Sequence, residues 1–173
     1  CKKAKVPVPN IFTEFGSFTV GESMAHIYSV IGQKVQNDRE IWYMIDSSFI
    51  TTLLDTWGIG EKFLMLPINK WDHEYQRVVL GGITCDSHDY YDSEEHINEV
   101  FLPKINSGEP LYVGFFHTGA YQDQISGYGG IKHCLIPSPK HIILDYDKNG
   151  KLVDWIYAKQ QSAQSMLKIL GYK

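Results

Sequence analysis

The sequence predicts a mainly β domain, an antiparallel barrel or sandwich with one or two short helices. Two observations carry that expectation. Short apolar runs rich in β-branched and aromatic residues recur along the chain, bounded by Gly, Pro, Asn or Asp. They are joined by hairpin-type turns and loops, without the regular strand–helix alternation of a βαβ repeat.

Taken in order, Val6-Pro7-Val8-Pro9 cannot be helical and reads as a lead-in strand or linker. Met24 to Gly32 admits a helical turn, but the β-branched and aromatic enrichment from Ile27 through Val35 favours a long strand. Gln36-Asn37-Asp38-Arg39 is a polar turn, and Glu40 to Asp46 is the returning strand of a hairpin. Residues 47–58 form a short helical segment, with Phe49, Leu53 and Leu54 on one face and Gly58 as its stop. Phe63 to Pro67 is a short buried strand closed by proline, and Tyr75 to Thr84 a longer one. Tyr90 to Asn98 is acidic and polar, a surface excursion. Leu111 to Phe116 is another buried strand, and Ser126-Gly127-Tyr128-Gly129-Gly130 a loop near a ligand or a subunit contact. His141 to Asp145 and Leu152 to Ala158 alternate as strands about Asp147-Lys148-Asn149-Gly150, where Asn-Gly is a strong hairpin signal. Ser162 to Leu170 closes as a helix, with Met166, Leu167 and Leu170 at helical spacing.

At 173 residues the chain can bury a core of its own, and 43% apolar with 21% charged residues is the composition of a folded protein. A formal charge of -4 gives no electrostatic reason to expect nucleic acid or an anionic membrane as partner. No apolar run approaches the ~18 residues that span a bilayer. Cys1, Cys85 and Cys134 are an odd, widely spaced set rather than a disulfide framework, so a reducing, cytoplasmic setting is expected. No spacing of the seven His suggests a metal site. The start at Cys1-Lys2-Lys3, without an initiator Met, leads us to expect a piece of a longer polypeptide.

Chemistry concentrates at Gly81-Gly82-Ile83-Thr84-Cys85-Asp86-Ser87-His88-Asp89, where an apolar strand ends in two glycines followed by reactive side chains. Three other stretches are unusual: Glu14 between two aromatics beside Gly16, Gly119-Ala120-Tyr121 after a strand, and the glycine-rich loop. Each has a plainer reading. Cys85 can be small buried filler, Asp86 and Asp89 turn formers, Glu14 a solvated edge residue, and Tyr121 a core aromatic. Together they make an incomplete active site, lacking a base, nucleophile or cofactor-anchoring lysine.

Thr84-Cys85-Asp86-Ser87 followed downstream by Gly119-Ala120-Tyr121-Gln122 resembles the C-terminal β-domain of fold-type III basic amino acid decarboxylases, enzymes dependent on pyridoxal phosphate (PLP). Within that group the sequence is most similar to the biosynthetic arginine decarboxylases. Leu54-Asp55-Thr56-Trp57-Gly58-Ile59, Phe63-Leu64-Met65-Leu66-Pro67 and Gly114-Phe115-Phe116 fall in the family's order, from about Phe12 to Gln122; past Gly127 the match weakens. The resemblance implies the C-terminal domain of the alanine racemase/ornithine decarboxylase type, with all of residues 1–173 as a single β-domain. It also implies an N-terminal (β/α)8 barrel bearing the Schiff-base lysine, and at least a homodimer whose active sites each join one subunit's barrel to the other's β-domain. PLP is the implied cofactor, a requirement for Mg2+ is left open, and the piece alone should be inactive.

By the same resemblance, Cys85 would protonate the substrate carbon after CO2 leaves, and Asp86 would bind the substrate's distal cation. Glu14 would pair with the pyridine nitrogen of PLP. Gly16, Ser17 and Tyr121 would approach its phosphate. Two positions depart from the family. Ser17 stands where an arginine usually follows Glu-x-Gly, and His88 with Asp89 stands where the arginine enzymes tend to continue with Asp. Arginine decarboxylation to agmatine, in polyamine and spermidine synthesis, is therefore the leading expectation. The same fold acting on lysine, ornithine, diaminopimelate or carboxynorspermidine stays open, as does a non-catalytic regulatory β-domain.

Overall fold

A computed structural model describes residues 1–91, 100–127 and 129–173. Residues 1–15 contain no helix or strand and are exposed throughout, so Val6 to Pro9 is a linker rather than a strand. A five-residue helix, α1 (Gly16–Val20), leads into β1 (Ala25–Gln36), which forms the expected hairpin with β2 (Glu40–Ile45). Asn37 and Asp38 turn the chain in left-handed conformation, which their short polar side chains tolerate.

The helix expected over residues 47–58 is two pieces, α2 (Phe49–Thr52) and α3 (Leu54–Gly58), broken at Leu53 where the backbone leaves helical angles. Ser48 caps α2 by accepting from the Thr51 N–H. Then follow β3 (Leu64–Pro67), β4 (Tyr75–Gly81), β5 (Tyr90–Tyr91), β6 (Val100–Pro103) and β7 (Leu111–Phe116). The hairpin β8 (His141–Tyr146) and β9 (Leu152–Ala158) forms a separate two-stranded sheet, with Gly150 at φ +74° in its turn. Two further α-helices, α4 (Gln122–Ile125) and α5 (Ala163–Ile169), and two short 3-10 turns, Gly21–Ser23 and His133–Leu135, are also present.

The main sheet is a curled half-barrel in the order β3-β7-β1-β2-β4-β5, with β6 also paired to β4. Its pairs are antiparallel, as expected, with one exception. Strands β2 and β4 run parallel, in the register Trp42 with Val79, Tyr43 with Leu80 and Met44 with Gly81. The reason is the connection. A parallel pair needs a crossover, and α2, α3 and β3 lie in the chain between these strands.

The core is the concave alternation of this sheet closed by α2. Tyr28 and Val30, Tyr43 and Ile45, Val78 and Leu80, and Leu111, Val113 and Phe115 point inward beside Phe49 and Leu53. Phe115 meets Tyr91, Tyr28 and Phe49 edge-on, with ring centroids 4.8, 5.7 and 5.7 Å away. Tyr91 overturns part of the surface excursion: it is a strand residue in the core, and its hydroxyl donates to the Phe63 carbonyl. Residues 92–98 of that stretch lie outside the described residues, as does Tyr128 of the glycine-rich loop. Strand β6 and helix α4 are each only four residues, too short for periodicity to reveal.

Candidate active site

The parallel pair decides where the candidate residues emerge. Since β1 is antiparallel to both β2 and β7, and β2 is parallel to β4, strands β7, β2 and β4 all run the same way. The loops after β4 and β7, and the lead into β1, therefore open on one edge of the sheet. The edge is stepped: Phe116 pairs with Ala25, whereas Ile45 pairs with Val30. An antiparallel β2–β4 pair would have sent Cys85 to the opposite edge from Tyr121.

The loop after β4 is pinned by Asp89, which is more than a turn former. Its buried Oδ1 accepts from the Phe49 N–H at 2.8 Å, and Oδ2 accepts from the Thr84 N–H at 3.0 Å and the Thr84 hydroxyl at 2.7 Å. The Gly82 N–H donates to the Asp89 carbonyl at 2.7 Å, and a Cβ on Gly82 would collide with the Asp89 carboxylate. Glycine is thus required at position 82 for close approach.

On this fixed loop Cys85 is exposed, so it is not buried filler, and Asp86 is half-buried. Asp86 Oδ1 accepts from the His88 N–H at 2.8 Å and lies 3.3 Å from His88 Nδ1. The His88 N–H first, and then its imidazole, hold the Asp86 carboxyl below the usual range and keep it anionic. His88, unexplained by sequence, is a partner of Asp86. The Cys85 Sγ lies 3.6 Å from the Cys134 Sγ, and that hydrogen bond and the neighbouring sulfur's charge push the Cys85 thiol up.

In the chain leading to β1, Glu14 Oε1 accepts from the Gly16 N–H at 2.8 Å and fixes the start of α1. Glu14, Gly16 and Ser17 are all exposed. The Gly119-Ala120-Tyr121 turn packs on the chain just after α1. The Gly119 N–H donates to the Gly21 carbonyl at 3.0 Å, and a Cβ on Gly119 would strike the Val20 carbonyl oxygen. Tyr121, half-exposed with φ +66°, is a surface aromatic rather than a core one. Gln122, fully buried, donates to Asp55 Oδ2 at 2.7 Å and accepts from the Asp55 N–H at 3.1 Å, joining α4 to α3.

After α4 and the glycine-rich loop, sequence reasoning missed two residues, Lys132 and Cys134. Buried Lys132 donates from Nζ to Ser126 Oγ at 2.9 Å and to the Thr51 carbonyl at 3.4 Å, so Ser126 and Lys132 are tied to α2. Burial lowers the Lys132 ammonium's pKa, opposed by Asp123, which itself lies 3.8 Å from His141 Nε2. Nearby, His26 Nδ1 meets Thr118 Oγ1 at 2.8 Å; burial first, then Lys132 and His141, bring its pKa down to about 4. Two residues past Lys132, Cys134 reaches Cys85. No spacing rule pairs residues 49 apart, so the sequence held no sign of this contact.

Glu14, Ser17 and Tyr121 each present a polar group to solvent, of the types a pyridine-phosphate cofactor can use. Glu14 is a carboxylate, while Ser17 and Tyr121 carry neutral hydroxyl donors. Among the described residues no group of three or more His, Cys, Asp or Glu is placed to hold a metal ion, and no helix is long and apolar enough to cross a membrane.

No family model matches the chain. It is 35% identical over 135 residues to the biosynthetic arginine decarboxylase of Thermosynechococcus vestitus, an alignment covering 75% of this chain and 20% of that protein. The crystal structure of the biosynthetic arginine decarboxylase of Campylobacter jejuni superposes with a TM-score of 0.63 at 27% identity, over 77% of this chain and 22% of that one. A crystal structure of diaminopimelate decarboxylase shares the fold with a TM-score of 0.70 at 20% identity, over 90% of this chain and 35% of that one. The chain spans about a fifth of the length of the curated relatives it matches. It carries the β-domain of the fold-type III basic amino acid decarboxylases, and its sequence relatives are biosynthetic arginine decarboxylases.

Proposed function

We propose that residues 1–173 are the C-terminal β-domain of a PLP-dependent arginine decarboxylase that forms agmatine and CO2, a step toward polyamines, in the cytoplasm. The active site is shared between subunits of a homodimer or larger assembly, and this domain is inactive without its own N-terminal barrel and a second subunit. The observation that carries the reading is the single sheet edge on which an anionic Asp86, an exposed Cys85 thiol and the Gly119-Ala120-Tyr121 turn all open.

Asp86 binds the substrate's distal guanidinium through charge-assisted hydrogen bonds, its carboxylate oriented beforehand by His88. Cys85 holds the proton that is delivered to the substrate carbon. Glu14 would hold the cofactor's ring nitrogen, with Gly16, Ser17 and Tyr121 at its phosphate. When bound, PLP supplies the electron sink for loss of CO2.

Steady-state kinetics of the full-length enzyme with arginine, lysine, ornithine, diaminopimelate and carboxynorspermidine test the reading. Asp86→Ala is expected chiefly to raise KM for arginine, by roughly 10- to 150-fold for a lost bond to a charged group of about 1.5–3 kcal/mol. Cys85→Ala should slow turnover or alter the products. If both variants match wild type with every substrate, the assignment is wrong. Ser17 favours a second reading, a non-catalytic regulatory domain, because a hydroxyl brings no charge to a phosphate; full-length protein that binds no PLP would decide for it.

A further inference from the structure

We propose that Cys85 and Cys134 are a redox-active dithiol, an oxidation site at which a peroxide joins the two sulfurs in an intramolecular disulfide and withdraws the Cys85 thiol from the substrate. The disulfide rests on geometry alone; its effect on turnover rests on the role proposed for Cys85.

Both thiols are exposed and their sulfurs are 3.6 Å apart, so modest side-chain rotation brings them to the ~2.05 Å of a disulfide. Both are also held in place. Cys85 sits on the loop that Asp89 clamps to Phe49 and Thr84. Cys134 stands in a turn between two buried anchors, Lys132 and Ile136, closed by the Leu135 N–H on the Lys132 carbonyl at 3.0 Å. In that turn Cys134 and Leu135 adopt φ +54° and +55°, a left-handed conformation that residues with a Cβ keep only where the surroundings impose it. The imposed turn brings the Cys134 thiol to Cys85 from across a sequence separation of 49 residues. His133 Nε2 lies 3.9 Å from the Cys134 Sγ, a base close enough to take up its proton.

The chemistry balances with hydrogen peroxide as oxidant. One thiolate attacks a peroxide oxygen, the O–O bond breaks, and hydroxide leaves to become water, giving a sulfenic acid. The second thiolate attacks that sulfur, the S–O bond breaks, and hydroxide leaves as a second water. Two thiols and one peroxide yield one disulfide and two waters, with two electrons passing from sulfur to oxygen. A dithiol reductant reverses the change by exchange.

The test treats the full-length enzyme with hydrogen peroxide, then alkylates free thiols and maps cross-links by peptide mass spectrometry while activity is followed. We expect an 85–134 cross-link and loss of activity, both reversed by dithiothreitol. Cys134→Ser should keep basal activity but lose reversibility, its Cys85 passing to the sulfinic acid instead. Absence of the cross-link in peroxide-treated wild type, or cross-links joining either residue to Cys1, overturns the dithiol. A cross-link that forms while turnover is unchanged overturns the switch and with it the catalytic role of Cys85, so the two failures are separable.

Discussion

The Asp89 clamp is the feature on which the position of Cys85 and Asp86 depends, and Gly82 offers a way to test it. In Asp89→Ala the buried Phe49 N–H loses its acceptor, and Thr84 loses the acceptor for both its N–H and its hydroxyl. An unsatisfied buried donor costs about 1–3 kcal/mol, while the half-buried Thr84 groups can turn to water, so a total of roughly 2–4 kcal/mol is expected. For a chain of this size that lowers Tm by about 4–16 °C. Gly82→Ala in the wild-type background drives a Cβ into the same carboxylate and should cost about 1–3 kcal/mol by overpacking. In the Asp89→Ala background the carboxylate is gone, and the added methyl should cost little. The assay is a double-mutant cycle by thermal and urea unfolding, with a predicted coupling of at least about 1 kcal/mol. Additive costs would refute the close approach of Gly82 and Asp89 as the reason for glycine at that position.

Phe115→Ala, which removes a fully buried ring from the Tyr28, Phe49 and Tyr91 cluster, should cost about 3–5 kcal/mol in urea unfolding. His26 predicts a pH dependence. Its folded pKa of about 4 lies below the unfolded value of 6.5, so the unfolded chain takes up the proton first as pH falls. Its stabilising contribution is whole above about pH 6.5 and is lost progressively down to about pH 4, by about 3 kcal/mol. His26→Gln should flatten that part of the stability profile. Ser17→Arg in the full-length enzyme should tighten PLP binding, read by cofactor titration, because a guanidinium adds charge at the proposed phosphate site.

Much of the fold was legible because it rests on local chemistry. The β1–β2 hairpin followed from Ile27 to Val35, a polar turn and Glu40 to Asp46, and the β8–β9 hairpin from Asn149-Gly150. What escaped was set by distant contacts. The parallel pairing of β2 with β4 is decided by where a crossover returns, which no short-range pattern encodes. Tyr91 lies against an acidic stretch, and its burial comes from Phe49 and Phe115 in other elements. The same division holds at the candidate site. Cys85, Asp86 and Tyr121 stood out as unusual residue types after strands, and Glu14 as a carboxylate between two aromatics beside a glycine. The second carboxylate oxygen of Asp89, the buried Lys132 and the approach of Cys134 depend on tertiary structure, and the sequence shows only ordinary residues there.

Subunit mixing in the full-length enzyme tests the central claim, that Cys85 and Asp86 complete another subunit's site. Asp86→Ala subunits are combined with subunits lacking the Schiff-base lysine of the barrel, after dissociation and reassembly. Assayed at arginine well below the KM of the Asp86→Ala variant, where both separate preparations are slow, a shared site predicts that the mixture regains roughly a quarter of wild-type activity, since half the dimers are hybrids and each hybrid holds one intact site. Activity that stays at the level of the separate variants, despite proven hybrid dimers, would contradict it.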